Sequence, residues 1–453
     1  MDRVAERGLE LPLGSPLDSP LDSSLDSSLE PSPGAGQAEP PTFDLSNGAT
    51  LPECEALAQF YNADLRLARA QAGVAQANKD NAGLWKDPVF GFNGDQVLSP
   101  STQFEYGASL SVTLPISGRL RVQKDRARAA LDVQWLKVAD AEWRLRADLR
   151  VAYFRWHALT ERSARLAELI DQVSRIDETA EGLAAAGSLG RAQARLIHIE
   201  LVGRRAELLR VQLEADLARV GVLGLIGLAP DAAIELMEPS LATLASPMNA
   251  VDASPETLHS TSTELALLRG RYELAEETLR LAIQQQYPDL TLGLGPGSEG
   301  NDTRVGIGLS LPIPLFNRNA QAIAAARAQR DVARVAAEVA LERIARDVER
   351  ATVTLDSVGR QREAIVNELS PLLDDQTGTI NALAELGDVD AFLLLQTFGR
   401  RYDAASRVLD LELSEAAARI QLALLVGPPN SDSPSPAAPS APEASDATEA
   451  HQP

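Results

Sequence analysis

Between Tyr106 and Leu114 the chain alternates strictly: Tyr106, Ala108, Leu110, Val112 and Leu114 share one face, and Gly107, Ser109, Ser111 and Thr113 the other. The stretch from Val305 to Ile313 repeats this, with Val305, Ile307, Leu309, Leu311 and Ile313 opposing Gly306, Gly308, Ser310 and Pro312. A period of two predicts strands that are apolar on one side and small or polar on the other. Briefer alternations, Phe90 and Phe92 after Pro88 and Leu290, Leu292 and Leu294 after Pro288, predict a partner strand for each. From Arg119 to about Gly187 the period lengthens. Leu131, Trp135, Val138, Leu145, Leu149, Ala152, Trp156 and Leu159 keep a four-three spacing broken only at Glu142, which predicts one long helix with a heptad seam.

That seam returns as Ala337, Leu341, Ile344, Val348, Ala351, Leu355 and Val358, each 199 residues after its counterpart. At the same offset, and with no gap, Gly107/Gly306, Leu110/Leu309, Ser111/Ser310, Pro115/Pro314, Arg119/Arg318, Asp132/Asp331, Arg144/Arg343 and Asp148/Asp347 are identical. So dense a self-match marks a duplicated chain, with repeats over about 51–229 and 260–427. Each repeat reads as a helix (53–85, then 262–286), a strand pair, a long helix, a glycine break near Gly187 or Gly387, and a returning helix. Sixty helical residues reach roughly 90 Å. The expected fold is mainly α with a small β part, and elongated.

Flanking segments 1–50 and 428–453 are rich in Pro, Ser, Ala and Asp, too polar and proline-broken to repay the entropy of ordering, and are expected to be disordered. They also carry half of the net charge of −22: nine acids against Arg3 and Arg7 in the first fifty residues, and four acids with no base after Pro428. An acidic chain without a basic patch excludes nucleic acid as a partner. Apolar residues make up 45% but aromatics only 4%, which suits helix-on-helix packing through Ala, Leu and Val.

The single cysteine, Cys54, excludes an intrachain disulfide and a thiolate metal cluster. His157, His198, His259 and His451 lie far apart and none forms a ligand-spaced pair; His157 and His198 are expected to be helix-surface residues, and no metal or cofactor is expected. Neither a Gly-rich phosphate loop nor a nucleophile motif occurs, so the chain reads as a non-enzyme. It opens without the basic start and apolar run of an export signal. No window is long and apolar enough for a membrane-spanning helix, which leaves a β-barrel as the one way to span. Strands of nine to eleven residues, apolar outside and polar inside, fit such a barrel, and they fit a half-buried soluble sheet as well. Four strands cannot close alone; open edges favour oligomerisation, and three copies give twelve strands.

Specific words then carry a resemblance. ThrLeuProGluCysGluAlaLeu at 50–57, AsnAlaAspLeuArgLeuAlaArgAla at 62–70, GlyLeuTrpLysAspProValPhe at 83–90 and above all LeuProIleProLeuPheAsnArgAsn at 311–319 resemble the outer-membrane efflux channels typified by TolC. The last of these is similar to the cobalt-zinc-cadmium branch, and the match spans about 50–429. The resemblance implies a homotrimer with a 12-stranded transmembrane β-barrel continuing into a periplasmic α-barrel tunnel. It implies as partners a periplasmic adaptor, an inner-membrane proton-driven pump and outer-membrane lipid, with heavy-metal cations as cargo. Tyr106, Leu110, Val112, Val305, Ile307, Leu309 and Leu311 then face lipid. Gly187, Arg191, Gly387 and Phe392 form the hairpin tips that meet the adaptor. Relatives place aspartates shortly after the second tip glycine; Leu393 and Gln396 stand there, and Asp388 and Asp390 nearby are the candidate pore constriction. Two other readings stay open: a soluble coiled-coil scaffold and a periplasmic adaptor.

Overall fold

The computed structural model describes residues 48–98, 103–239, 255–299, 302–385 and 391–428. In the first repeat, helices α1 (Leu51–Tyr61) and α2 (Ala63–Asp80) lead into strands β1 (Val89–Val97) and β2 (Gln103–Leu114). The long helix α3 (Arg119–Ala185) follows, and α4 (Arg191–Ile226) returns. The second repeat runs α5 (Pro255–Thr261), α6 (Thr263–Gln284), β3 (Leu290–Glu299), β4 (Asp302–Ser310), α7 (Ala320–Ala364), α8 (Ser370–Glu385) and α9 (Ala391–Val426). At 67 residues, α3 is about 100 Å long.

Each repeat pairs a long helix with a spliced one. The C-terminus of α4 stops against the N-terminus of α2, and Asn62 joins them: its Oδ1 accepts from Leu65 N (3.0 Å) while its Nδ2 donates to Leu225 O (2.8 Å). One side chain thus satisfies an orphan donor of one helix and an orphan acceptor of the other. The junction is closed by Gly227, whose left-handed φ of +90° ends α4. At the second splice Gly427 (φ +98°) ends α9, and Thr261 Oγ1 donates to Val426 O (2.5 Å). On the sheet side of the splices α3 packs against α2 and α6; beyond them it packs against α4 and α9.

The largest core lies around the first splice. There Leu57 and Leu65 meet Leu145, Leu149 and Tyr153 of α3, Leu223 and Ile226 of α4, and Ile420 of α9. Tyr153 is fully buried, and its hydroxyl donates to Ala49 O (3.1 Å), tying down the chain that enters α1. Cys54 sits in the same core, where burial first, then Glu53 and Glu55, push its thiol up to about 12. Glu55, nearly buried, accepts from Arg146 Nε (2.6 Å) and from Arg150. The counterpart core of the second repeat joins Leu258 and Leu265 to Ala340, Ile344 and Val426.

Three readings of the pattern need correction. The helix expected over 53–85 is two helices, because Asn62 leaves helical geometry (ψ 128°) to make the splice, and Trp85 lies past the end of α2. In the seam of α3, Trp135 points out and Val133 is buried instead. Gly270 of α6, lacking a side chain, lets α6 close on Val133 and Leu136. In the second repeat Ile344, Ala351 and Val358 are buried but Leu341 is exposed; among the described residues α7 packs chiefly against two helices, α6 and α9, whereas α3 does so against four. The long helix there is also interrupted by a π-helical turn, Ile365–Leu369.

Candidate functional site: an apolar sheet face and a hairpin tip

The four strands form one antiparallel sheet in the order β1-β2-β3-β4. Register brings the alternating residues into rows. Phe90, Leu110, Leu294 and Ile307 stand opposite one another across all four strands, and Val112, Leu292 and Leu309 form the next row. On the reverse face Gly91 pairs Ser109, Gly293 lies between Ser111 and Gly308, and Thr291 lies between Thr113 and Ser310. A Cβ at Gly295 would sit 1.8 Å from Ala108 O, so this face is held close by glycine.

The apolar face is bare. Phe90, Tyr106, Leu110, Leu294, Val305 and Leu309 are exposed, and Ile307 reaches 85%. Among the residues expected to face lipid, Tyr106, Leu110, Val305, Ile307, Leu309 and Leu311 are exposed, while Val112 is half-buried. Leu311 lies one residue past the end of β4, because Pro312 follows and offers no ladder donor. β1 and β4 are free edges among the described residues. At the foot of the sheet Asp289 receives Arg119 (2.9 Å) and Lys86 (3.5 Å), locking the start of β3 to the start of α3 and so one repeat to the other.

At the far end α3 and α4 are joined by a tight turn. Gly187 takes φ +76°, Ser188 N donates to Leu183 O (2.9 Å), and Arg191, exposed, opens α4. Beneath the turn Ile176, Ala180, Ala194 and Ile197 pack with Ala391 of α9. Phe392, the second residue of α9, is partly exposed over a groove of about 420 Å³ shared with Leu169, Val173 and Arg204. Gly387, Asp388 and Asp390 lie outside the described residues. The structure therefore brings Gly187, Arg191 and Phe392 to one end, and the lipid-face residues to the other.

The sequence reading missed a second apolar stripe on α4. Leu196, Ile199, Val202, Leu209, Leu213 and Leu217 are all exposed, although the opposite face of α4 (Ala194, Ile197, Leu201, Val211) is buried on α3. The seven-residue recurrence of Ile199, Ala206, Leu213 and Val220 was the available pattern. A helix apolar on two faces has two partners, and this one shows only the first. Along the open side of α7, Val332, Val335, Val339 and Val353 are exposed in turn.

Partial desolvation at the bundle surface pushes the Glu412 carboxyl up, against the pull of Arg362 and Arg165. Its neighbour Glu415 is paired with Arg362 (3.0 Å) and Arg419. No nucleophile adjoins this cavity of about 410 Å³, which His157 also lines. No helix is long and apolar enough to cross a membrane among the described residues.

A duplicated chain with two strands per repeat set on long, spliced helical hairpins has the fold of bacterial outer-membrane channels. The outer-membrane channel OprN matches with a TM-score of 0.71 at 17% identity, over 83% of this chain and 89% of its own. CusC, whose structures record transmembrane channel formation, matches with a TM-score of 0.70 at 17% identity over 83% of this chain and 92% of its own. The outer membrane protein VceC from Vibrio cholerae follows at 0.69 and 16% over 83% and 96%. No protein-family model matches the chain, and neither does any curated protein.

Proposed function

We propose that this chain is the channel subunit of a tripartite efflux system, passing substrate from an inner-membrane pump and periplasmic adaptor through the outer membrane. The observation that carries the reading is the sheet: four strands with rows of apolar residues (Phe90, Leu110, Leu294, Ile307; Val112, Leu292, Leu309) on one face, glycine, serine and threonine behind them on the other, and both edges open among the described residues. Three copies give a closed barrel of twelve strands, which removes the edges and turns the apolar face to lipid. The stripe on α4 and the exposed valines of α7 sit on helices that are separated by α3 and α9, and they suit a head-to-tail ring contact. A soluble scaffold leaves both surfaces unexplained.

In this assembly the helices continue the barrel as a periplasmic tunnel. Gly187, Arg191, Gly387 and Phe392 are the adaptor-facing tips, and Asp388 and Asp390 the constriction. A ring of three such carboxylates favours cations. Heavy-metal cations as the cargo rest on the match at 311–319. The channel itself performs no chemistry.

Reconstitution tests the reading. Detergent-purified chain should run as a trimer by mass and open cation-preferring conductance steps in a planar bilayer. A monomer that leaves the bilayer silent overturns it.

A further inference from the structure

Ten residues before the turn of the first hairpin, Asp177 of α3 faces His198 of α4, with His198 Nδ1 2.9 Å from Asp177 Oδ2. Glu181 stands one helical turn along from Asp177 on the same face. One ligand atom from each of the three residues lies within 4.8 Å of the other two, the one such group of three among the described residues. Two of the three, Glu181 and His198, are exposed, whereas Asp177 is nine-tenths buried. Its other oxygen, Oδ1, is buried and has no hydrogen-bond partner among the described residues. A carboxylate oxygen withdrawn from water and left without a donor is uncommon, and it marks a place where a further positive group belongs.

We infer that Asp177, Glu181 and His198 form a divalent-cation site of the Zn²⁺ class clamping α3 to α4 beneath the hairpin turn. The donor set is one imidazole nitrogen and two carboxylates, which suits borderline first-row cations over Mg²⁺. A cation about 2.0–2.2 Å from each donor keeps them within about 4.4 Å of one another, so rotation of the exposed Glu181 side chain completes the spacing. Three protein ligands on a partly exposed surface leave a position for water, giving an exchangeable site. The surroundings favour a clamp: Ile176, Ala180, Ala194 and Ile197 are small or aliphatic and hold the helices close, with no other polar link across the hairpin at that level among the described residues. Sequence spacing hid the site, because twenty-one residues and a turn separate His198 from Asp177.

The site is independent of membrane insertion, and its test reads binding alone. Tag-free, detergent-purified full chain, stripped with chelator, is titrated with Zn²⁺ by calorimetry and by competition with a metal-sensitive dye. One saturable equivalent per chain is expected. Glu181→Gln and His198→Gln, both at exposed positions that leave packing intact, should each weaken it about tenfold or more at unchanged helicity. His157→Gln should bind as the parent does. Zn²⁺ should also slow protease cleavage in the turn at 186–190, and Glu181→Gln should abolish that protection. Absence of saturable binding below millimolar Zn²⁺, or undiminished binding in the double variant Glu181→Gln/His198→Gln, overturns the assignment.

Discussion

Gly227 presses on the backbone carbonyl of Tyr61: a Cβ at residue 227 would lie 2.3 Å from that oxygen. Gly427 stands in the same relation to Thr261, at 2.0 Å. The duplication has therefore preserved a backbone-to-backbone contact as well as a sequence.

Gly227→Ala should destabilise the chain on two counts. The left-handed backbone costs about 1–2 kcal/mol, and the forced shift of the splice adds about 1–3 kcal/mol. Gly378→Ala, at an open helical position with nothing near its Cβ, should instead be neutral or stabilising by up to about 1 kcal/mol. Denaturant titration of the two variants beside the parent checks the contrast.

Leu309 is exposed on the apolar face, in the row beside the foot of the sheet. Leu309→Arg should reduce membrane assembly, by up to about 2–4 kcal/mol if the charge lies deep in the bilayer and less toward its surface, whereas Gly308→Ser on the opposite face should assemble. Recovery of trimer from the membrane fraction separates the two. Equal recovery removes the lipid-facing assignment of β4.

The Cys54 thiol, moved by burial from 9.0 to about 12, stays protonated in the fold while the unfolded chain ionises. The folded state holds the extra proton, so this stability is present below pH 9 and is lost as pH rises from 9 toward 12, at up to about 1.4 kcal/mol per unit. Burial raises Tyr153 as well, which acts in the same direction above pH 10. Cys54→Ala should flatten the fall in unfolding free energy between pH 9 and 11. At pH 8 the native thiol should stay inert to an aromatic disulfide reagent until denaturant is added.

Glu55 pairs with both Arg146 and Arg150 beside the first splice. Glu55→Gln keeps the shape and removes the charge, and should lower stability by about 2 kcal/mol. The double variant Glu55→Gln/Arg150→Met should recover part of this, which a double-mutant cycle in urea measures.

The strands, the long helices and the duplication were legible because each rests on a period that one chain can show. Alternation at Tyr106–Leu114 needs no partner to be read. The splice was not legible, since Asn62 looks like any polar residue within a helix until Leu225, 163 residues away, arrives beside it. Trp135 and Val133 exchanged roles for a similar reason: the approach of α6 at Gly270 decided which was buried. The stripe on α4 was present in the seven-residue recurrence, but a returning helix had been assigned one face only. Asp177 and Glu181 carried no pattern until the hairpin folded His198 over them.

The glycine, serine and threonine face of the sheet has a consequence for discrimination. Its rows nearest the helices, Gly91 with Ser109, Ser111 with Gly293 and Gly308, and Thr113 with Thr291 and Ser310, expose little beyond backbone and hydroxyl groups. Toward the hairpin ends the same face gathers charge, with Asp95 opposite Glu105, Glu299 opposite Asp302, and Arg304 opposite Gly297. Any discrimination by charge on this surface therefore belongs to the end of the strands far from the helices, and substitutions there could alter it without disturbing the glycine rows.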